Sequence, residues 1–296
     1  MLTKTTMSTE QLTLTAKNFN ADNLVVCEPS KNSRGGWNIR LKYLHPSTQE
    51  PVDFKVQTPK LKAPFGASKY VVKEANAVPK YSLNLTVDPN DSKVGAFFKM
   101  LEAMDEKVLR TVLSKYPKTI NLKNTKKKSI EDLMETYTDM GNYKKMIKYS
   151  KKDPEKYPPT ISLKLKFDDK SNNLYSRVFD KNDTSNRLRV SKEDVETILS
   201  PRIEMRALLL INSVWFIDSK FGITINANEM LLYKNAQSMG CNIEESDDEM
   251  ADEMEKLEIA EDAEEEADEA SEEVEISDIE EEEEEVKPKR GRKSKK

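Results

Sequence analysis

The 296 residues give room for one large domain or two ordinary ones, and 34% of the residues are charged. The formal net charge of −5 conceals three regions of different sign. Residues 1–243 carry a net charge of +13 and all 21 aromatic residues, residues 244–285 hold 26 acids and one base, and residues 286–296 hold seven bases and no acid. The composition therefore predicts a basic folded body, a disordered acidic tail and a basic tip.

Several classes of protein are disfavoured by what the sequence lacks. No run of about 18 apolar residues is present, so neither a transmembrane helix nor a membrane partner is expected. The start, Met-Leu-Thr-Lys, does not open a signal peptide, so we do not expect secretion. Cys27 and Cys241 stand far apart and His45 is the single histidine, which disfavours a zinc site and histidine-based catalysis. We predict no enzyme activity, no metal and no cofactor.

Alternating apolar and polar residues predict antiparallel strands in the first ninety residues. Helical spacing follows, with one helix carrying apolar residues from Phe97 to Leu113. Asp91 or Ser92 is the expected N-cap of that helix, and Ser129 with Asp132 predicts the capped start of a second helix. The strands expected in this part of the chain span residues 24–27, 37–43, 52–56 and 81–87.

The second half of the body returns to strands. Residues 161–167 alternate, and residues 174–179 are the expected hairpin partner. A short helix is predicted at 192–199 behind Ser191. Residues 206–217 are almost continuously apolar, which is typical of a central strand buried on both faces, and another strand is expected at 221–225. The predicted fold class is α+β and β-rich.

Basic residues at alternate strand positions indicate a protein that binds a polyanion. Arg40 and Lys42 share one strand face, as do Lys164 and Lys166, and Lys55 lies on the polar side of its strand. Lysine greatly outnumbers arginine, which favours diffuse phosphate contacts with little sequence preference. Further candidates for phosphate contact are Lys60 and Lys62, in a predicted loop.

Proteins that bind single-stranded nucleic acid combine such cations with aromatic rings on which bases stack. The candidates for that role are Trp37, Tyr43, Phe54, Phe65, Tyr70 and Tyr81. Four of them lie in phase with aliphatic residues, so packing in the core is the alternative for Trp37, Tyr43, Phe54 and Tyr81. Phe65 and Tyr70 lie beside lysines in a predicted loop.

The acidic tail and the basic tip carry separate predictions. A tethered polyanion competes with nucleic acid for a basic groove, and it leaves an arm for replication proteins when DNA displaces it. Arg290, Gly291 and Arg292 resemble the Arg-Gly-Arg core of an AT-hook, which would bind duplex DNA, although no proline follows. A nuclear localisation signal and a solubilising end are the alternatives for the tip.

Two segments resemble the single-stranded-DNA-binding proteins of large eukaryotic DNA viruses (poxvirus-like, asfarvirus-like and algal-virus-like). Residues 57–66, Gln-Thr-Pro-Lys-Leu-Lys-Ala-Pro-Phe-Gly, are similar to one characteristic segment, and residues 214–223, with Val-Trp-Phe and Lys-Phe-Gly-Ile, are similar to the second. The helix containing residues 105–116 occupies the expected place between them.

The resemblance implies an OB-fold-like antiparallel barrel with inserted helices that coats single-stranded DNA in viral replication, recombination or repair. It places the protein in the host nucleus, a cytoplasmic viral factory or the virion. In the loop, Pro59, Pro64 and Gly66 would present Lys60, Lys62 and Phe65 together, with Phe65 as a plug of the barrel end as the alternative. A genome-packaging protein that uses the tip, or a histone-chaperone-like protein that uses the tail, would share parts of this pattern.

Overall fold

The computed structural model describes residues 12–32, 35–71, 79–120 and 128–233. These residues form a 15-stranded sheet with three α-helices and one 3-10 turn, Ala21–Asn23, so the β-rich α+β class is confirmed. The helices are α1 (Gly95–Lys115), α2 (Ile130–Asp139) and α3 (Val195–Ile198). The strands are β1 (Leu12–Leu14), β2 (Leu24–Lys31), β3 (Trp37–Leu44), β4 (Pro51–Val52), β5 (Phe54–Gln57), β6 (Leu61–Ala63), β7 (Ala67–Tyr70), β8 (Lys80–Thr86), β9 (Tyr143–Lys144), β10 (Ile147–Lys148), β11 (Thr160–Leu165), β12 (Arg177–Asp180), β13 (Asp183–Leu188), β14 (Ile203–Ile217) and β15 (Lys220–Tyr233).

Two long antiparallel strands, β14 and β15, form the spine of the sheet. The outer edge of β14 pairs in succession with β6, β5 and β3, and the outer edge of β15 pairs with β12, β11 and β9. Beyond β11, the sheet continues through β8 to β7. The spine therefore places short strands from distant parts of the sequence side by side.

The hydrophobic core lies on one side of this sheet. Successive side chains of a strand point to opposite faces, so the buried residues alternate along each strand. Leu83, Leu163 and Leu209 are fully buried on three neighbouring parts of the sheet. Phe97 and Leu101 of α1 belong to the same buried cluster. The opposite face of the sheet, called the outer face below, consequently carries the polar residues of the strands.

A buried carboxyl group connects α1 to the segment that contains β9 and β10. Asp105 accepts a hydrogen bond of 2.6 Å from the Tyr143 hydroxyl at Oδ1 and one of 3.0 Å from the Met146 N–H at Oδ2. Burial raises the pKa of Asp105 from 3.8 to about 7, and these two hydrogen bonds act in the opposite direction. The carboxyl group therefore attaches α1 to the segment that carries β9 and β10.

Several sequence predictions are confirmed by the structure. The strands predicted at 37–43 and 81–87 correspond to β3 and β8. The second helix is α2, and its capping box is present. The Ser129 hydroxyl accepts from the Asp132 N–H at 3.1 Å, and the Asp132 carboxylate accepts from the Ser129 N–H at 3.2 Å.

Two predictions about helices need correction. The first helix begins at Gly95 with Val94 as N-cap, because Asp91 is used one turn earlier, where its carboxylate accepts from the Lys93 N–H. The predicted helix at 192–199 is reduced to the four residues of α3. The Ser191 hydroxyl does accept from the amides of Glu193 and Asp194, as expected of a cap, but the α-helix itself begins only at Val195.

Two predictions about strands were wrong. Residues 174–179 do not form a hairpin with 161–167, because both edges of β11 are taken by β8, β10 and β15. Only the pair Phe167 and Leu174 remains, while β12 pairs with β13 and β15. Residues 206–217 are buried on both faces only at 214–216, since Arg206 and Asn212 are exposed and Leu210 is half-buried on the outer face.

The acidic tail at 244–285 and the basic tip at 286–296, with Arg290, Gly291 and Arg292, lie outside the described residues. Within the described ranges, no helix combines the length and apolar character needed to cross a bilayer. The same residues contain no cluster of three or more potential metal ligands.

Candidate nucleic-acid interface

A row of four polar residues and one leucine crosses the outer face of the sheet perpendicular to the strands. Residues that pair across neighbouring strands point to the same face. The register pairs Ser68 with Ser82, Ser82 with Lys164, Lys164 with Asn226 and Asn226 with Leu210. Five strands, from β7 to β14, thus contribute one adjacent side chain each, with Lys164 at the centre.

Lys55 extends this row on the far side of β14. Gln57 pairs with Leu208 and Val56 with Leu209, so Lys55 lies beside Leu210 on the outer face. Three strand spacings separate Lys55 from Lys164, which is roughly 14 Å. Two predicted phosphate ligands from distant parts of the sequence therefore lie on one continuous face.

A neighbouring row adds Arg40. Arg40 pairs with Ser213, and Ser213 pairs with Thr224, which is two residues before Asn226 on the same face of β15. Lys42 follows Arg40 on the outer face of β3. Lys42 and Arg40 both lie close to the half-buried Cys27, whose pKa is raised by burial and lowered by these two cations.

On the other side of Lys164, the outer face carries Tyr70 and Lys166. Tyr70 pairs with Lys80, and both are two residues away from the serines of the central row. Tyr70 thus lies in a strand and not in the loop that the sequence predicted, and its ring is half-buried. Lys166 follows Lys164 on the same side of its segment, immediately after β11 ends.

A groove of about 220 Å³ opens at the centre of these rows. Its walls carry two lysines, a tyrosine, two asparagines and a leucine, and no acidic residue. The amide oxygen of Asn226 has no hydrogen-bond partner among the described residues, although it is buried. The groove is lined by Lys164, Lys166, Tyr175, Ser176, Leu210, Asn226, Ala227 and Asn228.

Tyr175 is the exposed aromatic residue of this groove. Its side chain is 64% exposed, while its backbone N–H donates to the Lys166 carbonyl at 2.9 Å. The flanking residues are fixed as well, because Leu174 is buried and the Ser176 hydroxyl donates to the Ala227 carbonyl at 2.6 Å. A ring held at the surface by a rigid backbone can stack on a base at little cost in conformational entropy.

Two acidic residues of β14 and β15 form ion pairs with cations that do not line the groove. Glu229, directly after the groove residue Asn228, forms an ion pair with Arg177. Glu204, farther along β14, forms an ion pair with Lys60. Glu229 also accepts a hydrogen bond of 3.2 Å from the groove residue Asn228, so this acid lies at the margin of the groove.

Lys60, Lys62, Phe65 and Trp37 are not brought into the groove. Leu61–Ala63 is a strand, so the loop expected at 57–66 is only partly a loop, although Gly66 does adopt the predicted turn with φ +69°. Lys60 binds Glu204, which Lys62 faces across the β6–β14 pair. Phe65 is half-buried in the following turn.

Trp37 shares its strand face with the buried Ile39 and packs at the margin of the core. The Lys31 ammonium lies 5.3 Å from the centre of its ring. The alternative of core packing is therefore the one that the structure favours for Trp37.

Sequence reasoning missed Tyr175, although a signal for it was present. Leu174, Ser176 and Val178 alternate as small or apolar residues and are all buried. The residues between them, Tyr175 and Arg177, must then face outward. The prediction that residues 174–179 pair with β11 was wrong, and it concealed this alternation of buried and outward-facing residues.

Comparison with protein families gives one match over most of the chain. The model of the family described as "Protein of unknown function (DUF2738)" matches residues 17–286. No curated protein matches the sequence.

Three solved structures of bacteriophage proteins are similar to the model. The single-stranded DNA-binding protein of bacteriophage Enc34 in complex with ssDNA is 15% identical, with a TM-score of 0.38 over 74% of this chain and 99% of that chain. A second structure of the Enc34 protein is also 15% identical, with a TM-score of 0.37 over 75% of this chain and 95% of that chain. The single-stranded DNA-binding protein gp2.5 of bacteriophage T7 is 13% identical, with a TM-score of 0.34 over 68% of this chain and 95% of that chain. Scores of this size assign neither fold nor function to this chain.

Proposed function

We propose that this chain, which belongs to the DUF2738 family, binds single-stranded DNA without sequence specificity on the outer face of its sheet. The observation that carries the proposal is the groove that Lys164, Lys166 and the exposed Tyr175 line together, with no acidic residue among the lining residues. Lysines contact phosphates, and an exposed ring stacks on a base.

The exposed ring favours a single strand over a duplex. A base offers its face for stacking only when it is not already stacked in a helix, so Tyr175 has no partner in intact duplex DNA. Leu210 supplies an apolar surface beside it, and the amide of Asn226 can hydrogen-bond to any base edge, whereas the Asn228 amide donates to Glu229 at 3.2 Å. Every base has a π-face, so contacts of this kind carry little sequence preference.

The acidic tail has a regulatory role in this proposal. Residues 244–285 carry 26 acids, and a tethered segment of this charge competes with phosphates for the lysines of the outer face. When DNA displaces the tail, the tail becomes accessible to replication proteins, while the tip at 286–296 contacts duplex DNA. The three-part division of the chain at residues 243 and 285 belongs to the same proposal.

Residues 57–66 and 214–223 resemble single-stranded-DNA-binding proteins of large DNA viruses. On this resemblance we extend the proposal to the fold, the viral process and the place of action. The strands would form an OB-fold-like barrel, and the protein would coat and protect DNA in viral replication, recombination or repair without catalysis. Its place of action would be the nucleus, a viral factory or the virion of an infected host.

The test is a titration of fluorescent oligo-dT with the full chain over a range of salt concentrations. Two lysines are replaced together, Lys164→Gln with Lys166→Gln. The control is Lys99→Gln with Lys115→Gln, which removes the same charge from exposed positions of α1. Each phosphate contact adds about 0.7 to the slope of log K against log salt, so the groove variant should lower that slope by about 1.4 and the control should not.

Competition with duplex DNA separates single-strand binding from general attraction to nucleic acid. The proposal requires oligo-dT to displace a duplex of equal length, and it requires truncation after residue 243 to strengthen binding. A protein that shows no complex with oligo-dT at low salt, or a groove variant indistinguishable from its control, would disprove it.

A further inference from the structure

We infer that a bound single strand runs lengthwise along β11, from Tyr175 past Lys164 to Lys148, and is not confined to the groove. This inference rests on the proposed function and adds a path and a length to it. It assigns a binding role to Lys148, on the opposite end of β11 from the groove.

The outer face of β8 and β11 is a continuous polar stripe. Ser82 pairs with Lys164, Asn84 with Ser162, and Thr86 with Thr160. None of these six side chains is acidic, and each is half-buried beside a neighbour that belongs to the core. The amide oxygen of Asn84 is buried and has no hydrogen-bond partner among the residues described. The stripe therefore presents hydroxyls and amides between its charged ends.

Lys148 lies at the end of this stripe. β10 pairs with β11 so that Lys148 is directly opposite Thr160, and paired residues share a face of the sheet. Lys148 thus lies one strand to the side of Thr160, at the end of β11 away from Lys164 and Lys166. The neighbouring Ile147 pairs with Ile161, and both are buried, which confirms the phase of the two strands.

The position of Lys148 is fixed from the core side. Asp105 binds the Tyr143 hydroxyl and the Met146 N–H, and Tyr143 lies in β9, which pairs with β15. The segment from Tyr143 to Lys148 is therefore attached to α1, β11 and β15 at once. A cation on a rigid segment loses less conformational entropy on binding than a cation in a loop.

The length of the stripe defines the length of the ligand. Thr160 and Lys166 are six residues apart, which is roughly 20 Å along a strand. A strand stacked as in a helix rises about 3.4 Å per nucleotide, so at most about six nucleotides would extend from Tyr175 to Lys148, and fewer if the strand is extended. The partner is thus a polynucleotide that spans several nucleotides.

The experiment uses the full chain, 15-nucleotide oligo-dT and the same salt series. Lys148→Gln should weaken binding about fivefold at 0.1 M salt and lower the slope by about 0.7, because one phosphate contact is lost. Ser162→Lys places a new cation in the middle of the stripe and should strengthen binding by a similar factor. Lys99→Gln is the control for the loss, and thermal unfolding confirms that each variant is folded.

The outcomes separate this inference from the proposed function. Loss of affinity in Lys164→Gln together with a Lys148→Gln variant that behaves like Lys99→Gln overturns the lengthwise path and leaves the groove intact. A Ser162→Lys variant that binds no more strongly than the unaltered chain also overturns the path. Absence of any complex with the unaltered chain overturns the proposed function itself.

Discussion

Replacing Tyr175 by alanine tests the proposed contact with bases more sharply than removing a charge. The side chain is 64% exposed, so its loss leaves no cavity in the core and should not change the free energy of unfolding measurably. Stacking of one base on an aromatic ring contributes about 1–3 kcal/mol, so Tyr175→Ala should weaken oligo-dT binding by about 5- to 150-fold.

Two further variants distinguish stacking from other causes. Tyr175→Phe keeps the ring and should bind within about twofold of the unaltered chain, because stacking depends on the ring and not on the hydroxyl. Tyr149→Ala removes the second strongly exposed aromatic side chain among the described residues, which is 53% exposed and close to Glu102 of α1. This variant should bind normally.

The assay is fluorescence anisotropy of labelled oligo-dT, with urea unfolding of each variant as the stability measurement. Stacking is an uncharged contact, so Tyr175→Ala should shift the affinity at all salt concentrations and leave the slope of log K against log salt unchanged. The reasoning is refuted if Tyr175→Ala and Tyr149→Ala lose the same affinity, or if Tyr175→Phe binds as poorly as Tyr175→Ala.

Three predictions concern stability and are read from urea unfolding. Because the pKa of Asp105 is raised from 3.8 to about 7, its protonated form is favoured in the folded chain, so its contribution to stability is complete below about pH 4 and is lost as the pH rises to about 7. The unfolding free energy of the unaltered chain should therefore fall relative to Asp105→Asn over this range, by up to about 4 kcal/mol, and equal pH profiles would contradict the assignment. Ser129→Ala should cost about 1 kcal/mol, since it removes the N-cap of α2, whereas Ser129→Asn should cost much less. Gly222→Ala should cost about 1–3 kcal/mol, because a Cβ there would lie 2.9 Å from the Lys144 carbonyl oxygen and 3.0 Å from the Trp215 ring; unchanged stability would show that β9 can move away from β15.

Local patterns in the sequence predicted much of the fold. The strand at 37–44 and the helix after Ser129 were predictable because alternation and a capping box are properties of a few consecutive residues. The placement of Arg40, Lys42, Lys55, Lys164 and Lys166 on the polar side of their strands followed from the same alternation. That these strands join one spine did not follow, because the pairing of β3 and β5 with β14 joins residues about 150 or more positions apart.

The errors have a common physical origin in tertiary pairing. Residues 174–179 have the composition of a hairpin partner, yet β11 has no free edge for them and β15 pairs with β12 instead. Residues 206–217 are apolar enough for a buried strand, yet nothing among the described residues covers Leu208 and Leu210, and they remain half-exposed on the outer face. Tyr175 was missed for the first of these reasons, since its orientation depends on which strand its neighbours join.

Ultraviolet crosslinking of the full chain to 15-nucleotide oligo-dT, with identification of the crosslinked peptides by mass spectrometry, tests the central claim most directly. The account predicts crosslinks on the peptide that carries Tyr175 and on peptides from β11 and β15, and it predicts their loss when unlabelled oligo-dT competes. Crosslinks confined to α1, α2 or the β12–β13 hairpin, with none on the outer face, would contradict it.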